Sequence, residues 1–201
     1  MKEICIRESI TGGVGAGKSS VLEYIESNYK CEIIYADLLA AKLQQKGQVC
    51  YESLICLLGE DVVDENGEID RKKTAEIVFG NPDILEKVNN IVHPAVKDYI
   101  VNRISELRQE NFLDYLFIEA ALLIECGYKS IVDEMWYVYA AEDVRRLRLK
   151  ESRGYNDSKI DSILKSQLSE EEFKASSDVI IDNSGDINDT IEQIRECLYE
   201  C

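Results

Sequence analysis

The chain has 201 residues, with 23 Lys and Arg against 39 Asp and Glu and a formal net charge of −16. That length holds one domain, or one domain with an inserted subdomain, and the deficit of cations excludes a broad nucleic-acid surface, which needs clustered Lys and Arg. With 45% apolar and 31% charged residues, no membrane-length apolar run and no basic-apolar leader, the expectation is a soluble cytoplasmic protein without a membrane partner.

The first strand is expected over Lys2 to Ile10, although Arg7 and Glu8 stand where a central parallel strand is usually apolar. It leads into Gly12-Gly-Val-Gly-Ala-Gly-Lys-Ser-Ser20, which fits the phosphate-loop pattern G-x-x-x-x-G-K-[ST]. Glycines let the backbone curl with no Cβ to hold a phosphate away. Successive N–H groups then converge on one anion-sized hollow at the start of a helix, where the macrodipole favours negative charge. Gly13, Val14, Gly15, Ala16, Gly17, Lys18, Ser19 and Ser20 are therefore the candidate nucleotide contacts. Lys18 is aimed at the β- and γ-phosphates, and the Ser19 hydroxyl is the candidate Mg²⁺ ligand. A triphosphate nucleotide with Mg²⁺ follows as the expected cofactor pair. Because the chain is so acidic, its cations must gather where phosphates bind, while the acidic excess coats a solvated surface.

A helix is expected from Lys18 to about Asn28, then a second strand over Cys31 to Tyr35. Asp37, just past the carboxyl end of that strand, reads equally as a residue for chemistry at the ligand crevice and as the N-cap of a helix over Leu38 to Gln45. Residues 47–111 are mostly helical, too long for a simple crossover and suited to an acceptor-binding insert. Within them Tyr51 to Leu58 and Arg71 to Phe79 are helical, Asp64 to Gly67 is a turn, Asn81-Pro82 starts a helix that runs from Asp83 to about Val92, and Pro94 starts another. His93, the single histidine of the chain, stands at that junction as either a packed residue or a substrate contact.

Leu113 to Glu119 is the third strand, and its terminal Glu119 reads as a substrate or metal-water partner or as a buried acceptor. Glu125 reads as a structural cap. Met135 to Ala140 is the fourth strand. Glu142 to Glu151 is a helix carrying Arg145, Arg146, Arg148 and Lys150, with Arg153 following. Residues 145–168 are read as a lid that brings cations to the phosphates. Arg148 and Arg153 are assigned to the phosphates, Arg145 and Arg146 to a solvated face with i,i+4 ion pairs. Asp157 to Gln167 and Glu170 to Ala175 are short helices, Asp178 to Asp182 the last strand, and Asp186 to Cys201 a closing helix. The seven cysteines are odd in number and form no C-x-x-C pair, which suits a reducing compartment and argues against a zinc site.

The ordered set Thr11 to Ser20, Ala36-Asp37, Asn89-x-x-x-His93-Pro94, Leu122-Leu-x-Glu125, Arg148-Leu-x-x-x-Arg153-Gly154 and Val179 to Gly185 resembles the dephospho-coenzyme A kinase family. The resemblance implies a P-loop three-layer α/β sandwich, with a central parallel sheet of about five strands, a helical insert that binds coenzyme A, and a lid. It implies transfer of the ATP γ-phosphate to the ribose 3′-hydroxyl of dephospho-coenzyme A. On it Asp37 is the catalytic carboxylate, Lys18 and Arg148 act on the transferred group, and Asn183 and Gly185 lie by the adenine. Thr11, His93 and Glu119 then fall on the acceptor side. The implied partner is a small molecule, with the chain a monomer or weak homo-oligomer. Tyr35 departs from the family, standing two before Asp37 where an acidic residue is common. The alternatives are a nucleoside or nucleoside-monophosphate kinase, and a nucleotide-binding switch without turnover.

Overall fold

The structure, a computed structural model, describes residues 6–110, 113–120, 124 and 127–199. Leu122 and Glu125 of the fourth motif lie outside them, as do the expected start of the first strand at Lys2 and the expected end of the closing helix at Cys201.

Two compact units are present, one of residues 35–109 and one built from the chain on either side. The flanking unit holds a sheet of β1 (Ile6–Thr11), β2 (Cys31–Tyr35), β3 (Tyr115–Glu119), β4 (Glu134–Tyr139) and β5 (Val179–Asp182), in the order β2-β3-β1-β4-β5. β1 runs parallel to both β3 and β4, and β4 parallel to β5. The helices in chain order are α1 (Lys18–Asn28), α2 (Ala36–Leu43), α3 (Tyr51–Leu58), α4 (Arg71–Val78), α5 (Pro82–Glu110), α6 (Glu142–Arg153), α7 (Asp157–Lys165), α8 (Glu170–Ser176) and α9 (Ile187–Tyr199).

The core follows from strand composition. β3 and β4 are near-continuous apolar and aromatic runs, as strands covered on both faces must be. Phe117, Trp136, Ile10, Leu116 and Ile118 are almost completely buried, and Phe117 meets Trp136 edge to face at 5.9 Å between ring centroids. Glu8 is the exception: its side chain is buried in the middle of β1. This places β1, with the phosphate loop at its carboxyl end, in the centre of the sheet, where parallel folds open a ligand crevice.

The helical unit differs from expectation in three respects. It begins at Tyr35 rather than at residue 47, since α2 belongs to it. Asp37 is not an N-cap: Tyr35 holds that position with extended backbone and no side-chain capping bond, and Asp37 lies within the first turn of α2. Pro94 starts no helix but lies inside α5. An interior proline removes one hydrogen bond and costs about 3 kcal/mol. Here Val92, Val96, Ile100, Ile104 and Leu107 form one buried stripe that passes Pro94 at helical spacing, and burial at roughly 1.5–3 kcal/mol per large side chain outweighs that cost. Asn81-Pro82 does start α5, as expected: Asn81 Oδ1 accepts the Ile84 N–H at 3.2 Å, and Pro82 is the first helical position. The Asp64 to Gly67 turn is a small hairpin closed by a Val63–Ile69 bridge.

Candidate active site

In the flanking unit, β1 ends at Thr11, which is buried, and the loop follows at once. α1 starts from Gly17, whose φ of 92° is left-handed. A Cβ on Gly17 would also stand 2.1 Å from Asn183 Nδ2, so the position excludes other residues on two grounds. No side chain caps α1 and no acidic residue lies in its first turn. The start of a helix without a cap or an acidic residue in its first turn favours an anion. Ser19 and Ser20 are exposed there.

A loop whose N–H groups face inward must turn carbonyls outward, and these need partners. Lys18 Nζ donates to Gly12 O at 2.8 Å and lies 3.7 Å from Glu119 Oε1 at the end of β3. Ala16 O accepts from Asn183 Nδ2 at 2.8 Å and from Arg148 Nη1 at 3.3 Å, and Arg148 Nη2 donates to Asn183 O at 2.9 Å. Val14 O accepts from Arg145 Nε at 3.0 Å. The carbonyls of three alternate residues are therefore held by cations or an amide reaching in from α1, α6 and the end of β5.

Of the expected site residues, the structure gathers Thr11, the loop, Lys18, Glu119, Arg148 and Asn183 around one end of the sheet. The Asn183 side chain is buried, and its Oδ1 also accepts from Thr190 Oγ1 at 3.1 Å. It braces the loop; at Gly185, which follows, a Cβ would stand 3.7 Å from Asp189 Oδ2. Arg153 is not brought to the loop. It is exposed in the last turn of α6, its guanidinium 6.0 Å from the Tyr155 ring. Arg146 carries the expected ion pair, with Nε 2.7 Å from Glu142 Oε1 and further carboxylates at Asp157 and Asp161. The reading of Arg145 as solvated is corrected: it bonds the loop through Val14 and bonds Gln167 Oε1 at 2.7 Å. Its signal was available, since Arg145 and Arg148 are three residues apart and share a helix face. Gln167, which follows α7, had no signal in the sequence.

In the helical unit a cavity of about 780 Å³ is lined by Asp37, Gln44, Glu68, Arg71, Ile69 and Val78 among others. Asp37 is exposed to it with no hydrogen-bond partner among the described residues. The hairpin holds the rim: Asp64 Oδ1 accepts from the N–H groups of Asn66 and Glu68, and Glu68 Oε2 accepts the Lys46 N–H at 3.0 Å. Asp70 caps α4 through the Lys72 and Lys73 N–H groups, which fixes where Arg71 leaves the helix. His93 is part-exposed within α5. The unit thus offers an apolar hollow with one free carboxylate and one guanidinium, suited to a long, partly anionic small molecule.

Residues 6–189 match the dephospho-CoA kinase family. A dephospho-CoA kinase of Carboxydothermus hydrogenoformans is 36% identical over 191 residues, covering 95% of this chain and 92% of that protein. One of Staphylococcus epidermidis is 34% identical, covering 95% and 93%. Among solved structures, TT1252 from Thermus thermophilus superposes with a TM-score of 0.80 at 28% identity, covering 98% of both chains. A shikimate kinase from Bacteroides thetaiotaomicron shares the fold at a TM-score of 0.53 and 15% identity, covering 96% of this chain and 98% of its own. With a phosphate loop at the end of the central strand and the match spanning nearly the whole chain, this protein belongs to the dephospho-CoA kinase family.

Proposed function

We propose that this chain transfers the γ-phosphoryl group of ATP to the ribose 3′-hydroxyl of dephospho-coenzyme A, giving coenzyme A and ADP. The observation that carries the reading is the uncapped, acid-free start of α1 behind a glycine loop whose carbonyls are already held. A loop fixed in this way presents its N–H groups to a triphosphate with its backbone already in place, which is the electrostatic part of phosphoryl transfer. Lys18 leaves its carbonyl for the β- and γ-phosphates, and Arg148 opposes the charge that builds on the moving group. Mg²⁺ fits the Ser19 hydroxyl as a single protein ligand, since Mg²⁺ keeps waters and binds chiefly through substrate phosphates, and no cage of His, Cys, Asp or Glu stands among the described residues. It would neutralise the β- and γ-oxygens.

Asp37 is the acceptor-side base. It would orient the ribose 3′-hydroxyl and take its proton as the oxygen attacks phosphorus. The helical unit, with its cavity and Arg71, would hold the remainder of the acceptor. Residues 145–168 act as the lid in this reading. The protein works on a small molecule and not on nucleic acid, as a monomer or weak homo-oligomer. A cytoplasmic setting agrees with the unpaired thiols of Cys31, Cys50 and Cys56 among the described residues.

The test is an ADP-release assay with Mg²⁺ and ATP, with and without dephospho-coenzyme A, and the mass of the acceptor product. A gain of one phosphoryl group supports the reading; ADP release with no change in the acceptor sinks it. Asp37→Asn is expected to lower turnover at least ~10²-fold, as for loss of a general base, while the ATP-induced rise in melting temperature persists. Near-normal turnover would remove Asp37 from the role.

A further inference from the structure

Arg145 and Gln167 meet the phosphate loop in a way that the assigned roles leave unused. Arg145 Nη2 donates to Gln167 Oε1 at 2.7 Å, and the Val14 N–H donates to the same oxygen at 3.2 Å. One neutral carboxamide oxygen thus collects a guanidinium donor and a phosphate-loop amide. That donor pair suits an anionic oxygen better than an amide, because charge-assisted bonds are the stronger ones.

Arg145 also lacks a counter-ion among the described residues: no carboxylate pairs with it, whereas its neighbour Arg146 bonds Glu142 and Asp161. Burial pushes the Arg145 guanidinium below its ordinary pKa; Tyr137, Glu142 and Glu170 act on it only through space and in the opposite sense. The loop is shaped for this side chain: a Cβ on Gly13 would stand 2.2 Å from Arg145 Nη2. The Lys18 ammonium lies at the same edge, 2.8 Å from Gly12 O, and a phosphate-loop lysine serves the β- and γ-phosphates. The Gly12–Val14 edge is therefore the terminal-phosphate edge.

We infer that Arg145 is a second phosphate-binding arginine, and that Gln167 Oε1 holds the place of an oxygen of the terminal phosphate until the nucleotide arrives. The inference rests on the reading of the chain as ATP-dependent. Binding exchanges the carboxamide oxygen for the phosphate oxygen, and Arg145 and the Val14 N–H keep their geometry while Gln167 moves off.

The experiment compares ATP and ADP affinity by calorimetry, and kcat and KM with dephospho-coenzyme A, for the full chain and for Arg145→Met, Arg145→Lys and Gln167→Leu. Wild-type turnover settles the proposed reaction first; nucleotide affinity does not depend on the acceptor, so the two readings fail separately. Arg145→Met is expected to weaken ATP at least ~10-fold more than ADP and to lower kcat, with the acceptor KM unchanged. Arg145→Lys, which keeps the charge and disturbs folding least, should retain part of the ATP preference. Gln167→Leu should bind ATP at least as tightly as wild type, because a competing acceptor is gone. Equal loss of ATP and ADP affinity in Arg145→Met, or a Gln167→Leu variant weakened as much as Arg145→Met, would show a loop brace and overturn the inference.

Discussion

Glu8 is the residue at which the sheet departs furthest from what a central strand holds. It pairs in register with Phe117 on one side and Glu134 on the other, it is 1% exposed, and its Oε2 has no hydrogen-bond partner. Burial first, then the charges of Glu134 and Asp133, push its pKa from 4.5 up to about 9. The folded protein therefore keeps this proton through neutral pH while the unfolded chain gives it up. Below the unfolded value both states hold the proton and the group adds nothing to the pH dependence of stability. Between the two values stability falls as pH rises, by up to about 1.4 kcal/mol per pH unit. The same carboxyl helps raise the nearby Cys31 thiol, after burial and Glu26, to about 11, so that cysteine is a poor nucleophile. Glu8→Leu, of similar volume, should melt higher than wild type by about 3–10 °C at about pH 8.5 and much less at about pH 5. Parallel melting curves across that range would show that Glu8 does not hold the proton.

α5 shows what an element adds to its residues. Local rules stop a helix at Asn89 to His93 because a proline follows, and they give no weight to the apolar stripe from Val92 to Leu107. The helix passes through because burial on both sides of Pro94 outweighs one missing hydrogen bond. Pro94→Ala should then raise the melting temperature by about 2–8 °C, while Ile100→Ala, emptying a fully buried position, should cost about 2–5 kcal/mol. A fall in melting temperature for Pro94→Ala would mean that the backbone there needs the ring. The same contrast marks what the sequence made legible. The phosphate loop, five strands and most helices were readable because their signals are local: glycine spacing, apolar runs, turn residues. Asn183 as a loop brace, and Arg145 joined to Gln167, were not, because each rests on contacts between residues far apart in sequence. Asp37 misled in a smaller way, since an acidic residue ahead of an apolar helix is the usual mark of a cap, and α2 starts two residues earlier than that rule places it.

At the scale of the molecule, a net charge of −16 must admit an anion. The field at long range repels ATP, whereas Lys18, Arg145 and Arg148 attract it at the loop, and Arg145 and Arg148 are bonded there to backbone carbonyls and an amide instead of carboxylates. The two ranges respond differently to salt. At about 0.15 M the Debye length is about 8 Å, so distant carboxylates are screened while contacts inside the loop are screened much less. Association of MgATP should accordingly speed up a few-fold as ionic strength rises from about 0.02 to about 0.15 M, with dissociation changing little. In Arg148→Ala the same rise should remain, because the long-range field is intact, but dissociation should be faster. Stopped-flow binding with a fluorescent ATP analogue separates the two rates. An association rate that falls with salt would show that the loop's cations already govern the encounter and that the acidic surface is arranged to leave the nucleotide's approach clear.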